Sequence, residues 1–480
     1  MINIYDTTIC ALSTAQGKGA VAVIRVSGKD AVNIVDLIFK PAKGNNLKST
    51  SSGRVRFGTL YSGENILDEV LVTIFRSPRS YTGEDMVEIS CHGSYYIQQE
   101  ILMLLLSNGA RLAKPGEFSQ RAFLNGKMDL AQAEAVADLI ASETKASHRV
   151  AIEQMKGGFS KELSVMRASL VEIVSLMELE LDFSEEDVEF ASRDQLKELV
   201  VSVENHVGTL IDSFKLGNVI KNGIPVAIAG ATNTGKSTLL NAFLDEERAI
   251  VSEIHGTTRD FIEGFVNIEG VGYRFIDTAG IRETQEKIEI IGIERSFEKI
   301  RSSPIVILVL DAERETLFSY GIEQLVSIVN LALQKVVIVL NKTDLSKSES
   351  SIEKDQNIKR LLEQINFLCK EHNLKTEAVI PISAKERAGL DEIKEVLFRS
   401  QKVEANHSYS TLVTNVRHYE ALKDTKSALA RVKDGLGTSL PTDLIAQDIR
   451  EALYHIGEIV GEINTEEILG NIFSKFCIGK

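Results

Sequence analysis

The sequence predicts a multidomain α/β protein, in which an α+β N-terminal domain is followed by a helical domain interrupted by a second domain built on a mostly parallel sheet. Three observations predict it. Short apolar runs alternate with a single helix-like segment over the first part, helical spacing sets in near Leu130 and returns after about Gln401, and between them near-continuous apolar runs of strand length alternate with helices. At 480 residues, 44% of them apolar, the chain exceeds one hydrophobic core and suggests about three domains of ordinary size.

The N-terminal domain is expected over residues 1–127. Its strand-like runs are Val21 to Val26, Glu69 to Phe75 and Met86 to Ser90, its helix-like segment is Gln98 to Leu106, and the Ser- and Gly-containing stretch Gly44 to Gly53 reads as an exposed loop. Residues 128–222 form the first part of the helical domain. Ala131, Ala135, Val136, Leu139 and Ile140 share one face, and Leu163, Met166, Leu170, Ile173, Val174, Met177 and Leu181 share another. The acidic patch Glu185-Glu186-Asp187 that follows reads as a solvated face.

Residues 223–401 are expected to form the inserted domain. Its strands are IPVAIAG, YRFID, PIVILVL, KVVIVLN and AVIPIS, the composition of parallel strands covered on both faces. Leu345 to Gln356, rich in Ser and charge, reads as a surface loop. Residues 402–480 return to helical spacing through Tyr419 to Val432 and Thr442 to Val460, completing the helical domain.

The formal charge of −14 and a pI near 5.3 favour solubility and argue against a broadly basic nucleic-acid binder, so any RNA contact must be local or shared with a partner. Cys10, Cys91, Cys369 and Cys477 are far apart and form no CxxC pair, which points away from disulfides and structural zinc and fits a reducing compartment. The opening MINIYDTTICALST has neither the layout of a signal peptide nor that of a transit peptide, and no run reaches the ~18 apolar residues of a membrane span. A cytoplasmic protein is expected.

Gly230-Ala231-Thr232-Asn233-Thr234-Gly235-Lys236-Ser237 fits GxxxxGK[ST] between a predicted strand and a predicted helix. Its glycines let backbone N–H groups approach phosphates, Lys236 reaches the β- and γ-phosphates, and Ser237 can ligate magnesium. Asp277-Thr278-Ala279-Gly280 ends a strand, placing a carboxylate that can hold the magnesium through water and a glycine N–H that can reach the γ-phosphate. Thr258, in Gly256-Thr257-Thr258-Arg259-Asp260, completes the metal's oxygen set. Asn341-Lys342-Thr343-Asp344 and Ser383-Ala384-Lys385 close the next two strands, and Asp344 can accept from guanine N1 and N2, which adenine cannot supply. A site built for such pairs rejects the analogue lacking them by about 10⁴ to 10⁵, so GTP is expected and ATP is not.

The GATNTGKS loop, GTTRD, DTAGIRE, IGIERS and the final Cys477-Ile478-Gly479-Lys480 resemble the bacterial tRNA wobble-uridine modification GTPases, the MnmE or TrmE family. So do Arg25-Val26-Ser27-Gly28, Tyr81-Thr82-Gly83-Glu84-Asp85, Cys91-His92-Gly93 and the run from Pro115 to Ser142. The resemblance implies a tetrahydrofolate-binding, dimerising N-terminal domain, a discontinuous helical domain and an inserted Ras-like G domain. It also implies an FAD- and NADH-using partner, MnmG, with which the family installs an aminomethyl or carboxymethylaminomethyl group on C5 of the tRNA wobble uridine, with 5-formyltetrahydrofolate or a related folate as the one-carbon source. Folate contacts carry over to Arg25, Glu84, Lys127 and Lys480; Arg25 and Glu84 also fit surface ion pairs. Thr232 stands where the family usually has Pro, and His255 where it has a small residue; the His255 ring is assigned no role.

The nucleotide set implied by these matches comprises Asn233, Thr234, Gly235, Lys236, Ser237 and Thr238; Ser252, Glu253, Ile254, His255, Gly256, Thr257 and Thr258; Asp277, Thr278, Ala279 and Gly280; Asn341, Lys342 and Asp344; and Ser383, Ala384 and Lys385. Ile281 occupies the place where Ras-like GTPases usually put a water-orienting Gln, and the resemblance transfers that role to Glu289, which as a helix-surface residue also fits a solvated face. Where other GTPases use an arginine finger, worth about 10³ to 10⁵ in rate, the family uses potassium. Asn233 is the implied side-chain ligand, with carbonyls near Ser252, Ile254 and Thr257. Cys477 is the implied residue of the modification chemistry; a thiol buried as a small hydrophobe is its other reading. An RNA- or ribosome-assembly GTPase acting as a binding switch is the competing function, and a membrane-remodelling scaffold is disfavoured for want of a basic amphipathic helix or lipidation signal.

Overall fold

The structure is a computed structural model, and it describes residues 7–182, 193–246, 263–277, 297–345, 351–400, 411–438, 440–462, 466–474, 476 and 478–479. The chain divides into two compact units. One gathers Met1–Ala141, Ala151–Asp212 and Val416–Lys480, and the other Ser142–Val150 and Ser213–Asn415.

The first unit holds a seven-stranded sheet of order β3-β4-β5-β6-β2-β1-β7, built from β1 (Ile9–Leu12), β2 (Val21–Ser27), β3 (Phe39–Pro41), β4 (Arg54–Ser62), β5 (Asn65–Phe75), β6 (Met86–His92) and β7 (Arg111–Leu112). All its pairings are antiparallel except β1 with β7. Alternate residues of the central strands are buried, so one face carries the core. Ile24, Val26, Val72, Ile74, Val87 and Ile89 pack there against Val32 and Val35 of the helix Ala31–Ile38 and Ile101 and Leu105 of the helix Tyr95–Ser107.

Helical spacing begins where the sequence predicts it. Asp129 caps the helix Leu130–Ile140 in a capping box with Gln132, satisfying donors at its first turn. The helix Thr442–Val460 packs with both the long helix Gly158–Asp182 and Val416–Gly437. His418 at the start of Val416–Gly437 is buried against Phe159, and Glu134 receives both His418 (2.6 Å) and Arg417 (3.0 Å). This ion cluster joins segments nearly three hundred residues apart in sequence (|i−j| = 284 for His418 and Glu134). The C-terminal helix Glu466–Phe473 closes a small core of Leu130, Ala133, Leu469, Phe473 and Phe476.

The second unit holds a six-stranded sheet of order β13-β12-β11-β8-β10-β9, with β8 (Ile224–Ala229), β9 (Glu263–Ile268), β10 (Val271–Asp277), β11 (Ile305–Asp311), β12 (Lys335–Asn341) and β13 (Ala378–Pro381). Only β9 runs antiparallel to its neighbour. Every residue of β11 is buried because helices cover both faces. Val226, Ile228, Ile307 and Val309 meet Leu239 and Phe243 of the helix Lys236–Glu246 and Ile393 and Leu397 of Leu390–Ser400. Ala227, Val306, Leu308 and Leu310 meet Phe318 and Ile322 of Phe318–Ile328 and Leu361 and Ile365 of Ser351–Glu371. That last helix corrects the loop expected from Leu345 to Gln356, since Ser351 already begins it: exposed charge and Ser along a solvated helical face mimic loop composition. Among the described residues no helix is long and apolar enough to cross a membrane.

Candidate nucleotide and folate sites

In an open parallel sheet, ligands bind beyond the carboxyl ends of the strands. The ends of β8, β10, β12 and β13 carry, in turn, the GxxxxGKS loop, Asp277, Asn341 and Ser383.

The loop is held open by two residues that must be glycine. At Gly230 (φ +148°) a Cβ would stand 2.5 Å from the Val309 carbonyl oxygen, and at Gly235 (φ +97°) it would stand 2.2 Å from Asn341 Nδ2. Asn233 takes a positive φ of 65°, a conformation Asn tolerates better than most side chains. Thr234 Oγ1 donates to the Ala231 carbonyl (2.9 Å), closing the loop on itself. Lys236 begins the helix Lys236–Glu246, where N–H groups and the helix dipole favour anions. Its Nζ donates to the Gly230 (3.0 Å) and Ala231 (2.9 Å) carbonyls; burial lowers its pKa, while Asp277 works to raise it. Ser237 and Thr238 are exposed on the same first turn.

Ser237 Oγ donates to Asp277 Oδ2 at 2.6 Å, and Asp277 Oδ1 is buried with no hydrogen-bond partner among the described residues. A buried, unsatisfied carboxylate oxygen beside a hydroxyl is an unfavourable arrangement by itself and a fitting oxygen donor set for Mg²⁺. Ser237 and Asp277 would hold that ion, directly or through water.

The base end is organised by Asn341, 3% exposed. Its Nδ2 donates to the Thr234 carbonyl (2.9 Å) and its Oδ1 accepts from Ala384 N–H (3.0 Å), tying the phosphate loop to the loop after β13. Asp344 Oδ1 accepts from Ser383 Oγ at 2.6 Å, which aims the carboxylate. Thr343 Oγ1 donates to the Ile382 carbonyl (2.9 Å). Lys342, at φ +66°, donates to Asp311 Oδ2 at 2.7 Å. Lys385 is exposed. Asp311 was not singled out from the sequence; its signal was an acid ending the wholly apolar run of β11. Ser252, Glu253, Ile254, His255, Gly256, Thr257, Thr258, Thr278, Ala279, Gly280 and Glu289 lie outside the described residues.

In the first unit Arg25 on β2 holds Glu88 (Nη2 to Oε1, 2.8 Å) and lies over the rings of Tyr81 (5.1 Å) and Phe118 (5.6 Å). Ser27, two residues along, donates to Glu84 Oε2 (2.7 Å), and Arg121 Nη1 reaches both Glu84 oxygens at 3.1 Å. Gly83 (φ +80°) packs its α-carbon against the Lys127 stem, whose Nζ donates to the Pro78 carbonyl (3.0 Å). Arg25, Glu84 and Lys127 are thus gathered around the turn 80–85, with Arg25 and Glu84 on different ion pairs. The chain's end reaches the same strand: the Gly479 carbonyl accepts from Arg25 Nη1 (3.5 Å) and Ser13 Oγ (3.2 Å), and a Cβ at Gly479 would meet the Leu12 carbonyl at 2.2 Å. Cys477 and Lys480 lie outside the described residues.

Sequence reading missed the pair that braces this turn. Arg121 is 2% exposed, bridges Glu84 and Glu117, and its Nε is buried without a partner among the described residues, while Glu117 also takes Arg111. Burial works to raise the Glu117 pKa, and Arg111, the Lys114 N–H and Arg121 lower it overall. The cation, the carboxylate and two aromatic rings around the turn fit a flat heterocycle with charged substituents, as a folate is.

The mostly parallel sheet, with the GxxxxGKS loop, Asp277, Asn341-Lys342-Thr343-Asp344 and Ser383 at the carboxyl ends of its strands, is the architecture of a P-loop GTPase. A family model described as the MnmE helical domain matches residues 130–477, and one described as the GTP-binding protein TrmE N-terminus matches residues 8–127. The tRNA modification GTPase MnmE of Bacteroides thetaiotaomicron is 51% identical over 476 residues, covering 98% of this chain and 99% of its own. That of Christiangramia forsetii is 51% identical over 481 residues, covering 99% of both. The chain belongs to the MnmE (TrmE) family of tRNA modification GTPases.

Proposed function

We propose that this chain hydrolyses GTP to drive modification of C5 of the tRNA wobble uridine, as a homodimer working with an FAD-dependent MnmG-type partner. The observation that carries the reading is likeness along both units at once, 51% identity over 476 residues, in a chain whose nucleotide loop and N-terminal turn are both intact. A GTPase serving only as an assembly switch has no use for the Arg25–Glu84–Lys127 turn or for Cys477.

The residues divide the work. Lys236 and the loop N–H groups bind and orient the phosphates, Asp344 selects guanine, and Ser237 with Thr258 and Asp277 holds magnesium. Glu289 orients the attacking water, because Ile281 has no polar atom to do so. Arg25, Glu84, Lys127 and Lys480 hold a 5-formyltetrahydrofolate-type molecule, and Cys477 serves the modification step. When bound, magnesium and a potassium ion held by Asn233 and carbonyls near Ser252, Ile254 and Thr257 supply positive charge to the phosphates, and folate supplies the one-carbon unit. Mass spectrometry of wobble nucleosides from cells lacking the protein tests the reading: the C5-substituted uridines are expected to vanish, and their persistence at normal levels would refute it.

A further inference from the structure

We propose that the basic loop and sheet edge of residues 37–63 docks the phosphodiester backbone of tRNA, an inference that rests on the tRNA-modifying function above. These 27 residues contain Lys40, Lys43, Lys48, Arg54 and Arg56 and no Asp or Glu, in a chain of net charge −14. At the chain's average acid content such a stretch would carry about four carboxylates, so the sign bias is local.

The fold concentrates it. β3 is the edge strand and β4 its only sheet neighbour, with Lys40 paired to Thr59 and the Ala42 N–H donating to the Phe57 carbonyl (3.0 Å). The intervening loop folds over Arg56, whose Nε donates to Thr50 Oγ1 (3.2 Å) and whose Nη1 lies 3.4 Å from the Cβ position of Gly44. Arg76, from the end of β5, reaches the Lys48 carbonyl at 2.9 Å and pins the loop from below. Lys40, Lys43, Lys48 and Arg54 are exposed.

Among the described residues none of the five cations makes an ion pair, whereas Arg25, Arg76, Arg111 and Arg121 of the same unit each hold a carboxylate. Two carboxylates that touch the region are committed, Asp36 to the Leu47 N–H (2.7 Å) and Asp85 to Arg76 (2.7 Å), while Glu69 stands exposed on β5 across from Thr59. Exposed Asn45, Ser49, Ser51 and Ser52 alternate with the cations, side chains that donate to phosphate oxygens without reading bases. Charge of either sign would guard an open strand edge against aggregation. Five unpaired cations with no acid fit a polyanion, and a family that acts on tRNA makes that polyanion RNA.

The test is fluorescence anisotropy of a labelled tRNA transcript with the full-length protein over a range of KCl concentrations. The variant Lys43→Gln/Lys48→Gln/Arg54→Gln removes three phosphate contacts worth about 0.7–0.9 each in salt slope, so the slope is expected to fall by about 2 and affinity at 0.1 M salt by about 10²-fold. GTP turnover and melting temperature should not change, and Lys43→Arg/Lys48→Arg/Arg54→Lys should bind like the unaltered protein. Equal affinity and slope for the Gln variant overturns the proposal. If the triple variant fails to fold, Arg54→Gln alone should lower the slope by about 0.7–0.9, and an unchanged slope overturns the proposal equally. Nucleoside analysis of cells lacking the protein separates the two claims: modification lost on deletion, with tRNA binding untouched by the Gln variant, refutes this surface and leaves the function standing, whereas unchanged nucleosides refute the function.

Discussion

Replacing Asn341 by Ala should disable nucleotide binding although Asn341 is almost wholly buried. The side chain donates to the Thr234 carbonyl at 2.9 Å and accepts from Ala384 N–H at 3.0 Å, and its amide lies where a Cβ on Gly235 would collide. Alanine leaves a carbonyl and an N–H in a buried gap without partners. Each unsatisfied group costs ~1–3 kcal/mol, so the two together cost about 2–6 kcal/mol. That cost falls on the contact that keeps the phosphate loop and the base-side loop in register. If about 3 kcal/mol of it is felt in binding, the GTP Kd rises roughly 10²-fold. Titration with a fluorescent GTP analogue, beside a thermal melt of the same sample, measures both. A Kd within about threefold of the original with an unchanged melt would refute the bridge as the organiser of the site.

Further outcomes follow from other parts of the molecule. Burial works to raise the Glu134 pKa, but His418 and Arg417 lower it from 4.5 to about 2. A depressed carboxylate stabilises the fold fully above its unfolded pKa and loses that contribution as pH falls from about 4.5 through about 2; Glu134→Gln should cost about 3–5 kcal/mol at pH 7 and flatten the acid limb of a melting-temperature profile, and an unaltered profile would count against the cluster. GTP turnover should be at least ~10-fold faster in potassium than in sodium at equal ionic strength, a modest part of what an arginine finger gives, and equal rates would exclude Asn233 as an ion ligand. Glu289→Ala should lower turnover by ~10² to 10⁴ with GTP affinity kept, whereas a normal rate would return it to a solvated face. Cys477→Ser should keep hydrolysis and abolish wobble modification; normal modification would reduce the thiol to packing.

Much of the second unit was legible because its chemistry repeats along the chain. Strands covered on both faces must be apolar between their ends, and β11 and β12 are, so the parallel sheet could be read before the loops at its ends. The glycine loop was legible because only glycine can stand at Gly230 and Gly235. The first unit hid more. β4 carries Arg54 and Arg56 among exposed Val55 and Phe57, and an outer strand so patterned does not look like a strand. Arg121 and Glu134 are buried charges, and sequence periodicity assigns charge to the surface unless a partner is known. Their partners lie far off: Glu84 is 37 residues from Arg121, and His418 is 284 from Glu134. Such pairings are set by tertiary packing, which no local pattern encodes.

Coupling between the GTP site and the tRNA is the central claim, and one complementation tests it most directly. Cells lacking the protein are supplied with the unaltered chain or with Asp277→Asn, which keeps the shape of the carboxylate that accepts Ser237 but removes the charge that a magnesium ion requires. Modified wobble uridine measured by mass spectrometry should return with the unaltered chain and stay absent with Asp277→Asn. Full modification with Asp277→Asn, at a matched protein level and with GTP turnover shown to be lost, would contradict the claim that hydrolysis drives the chemistry.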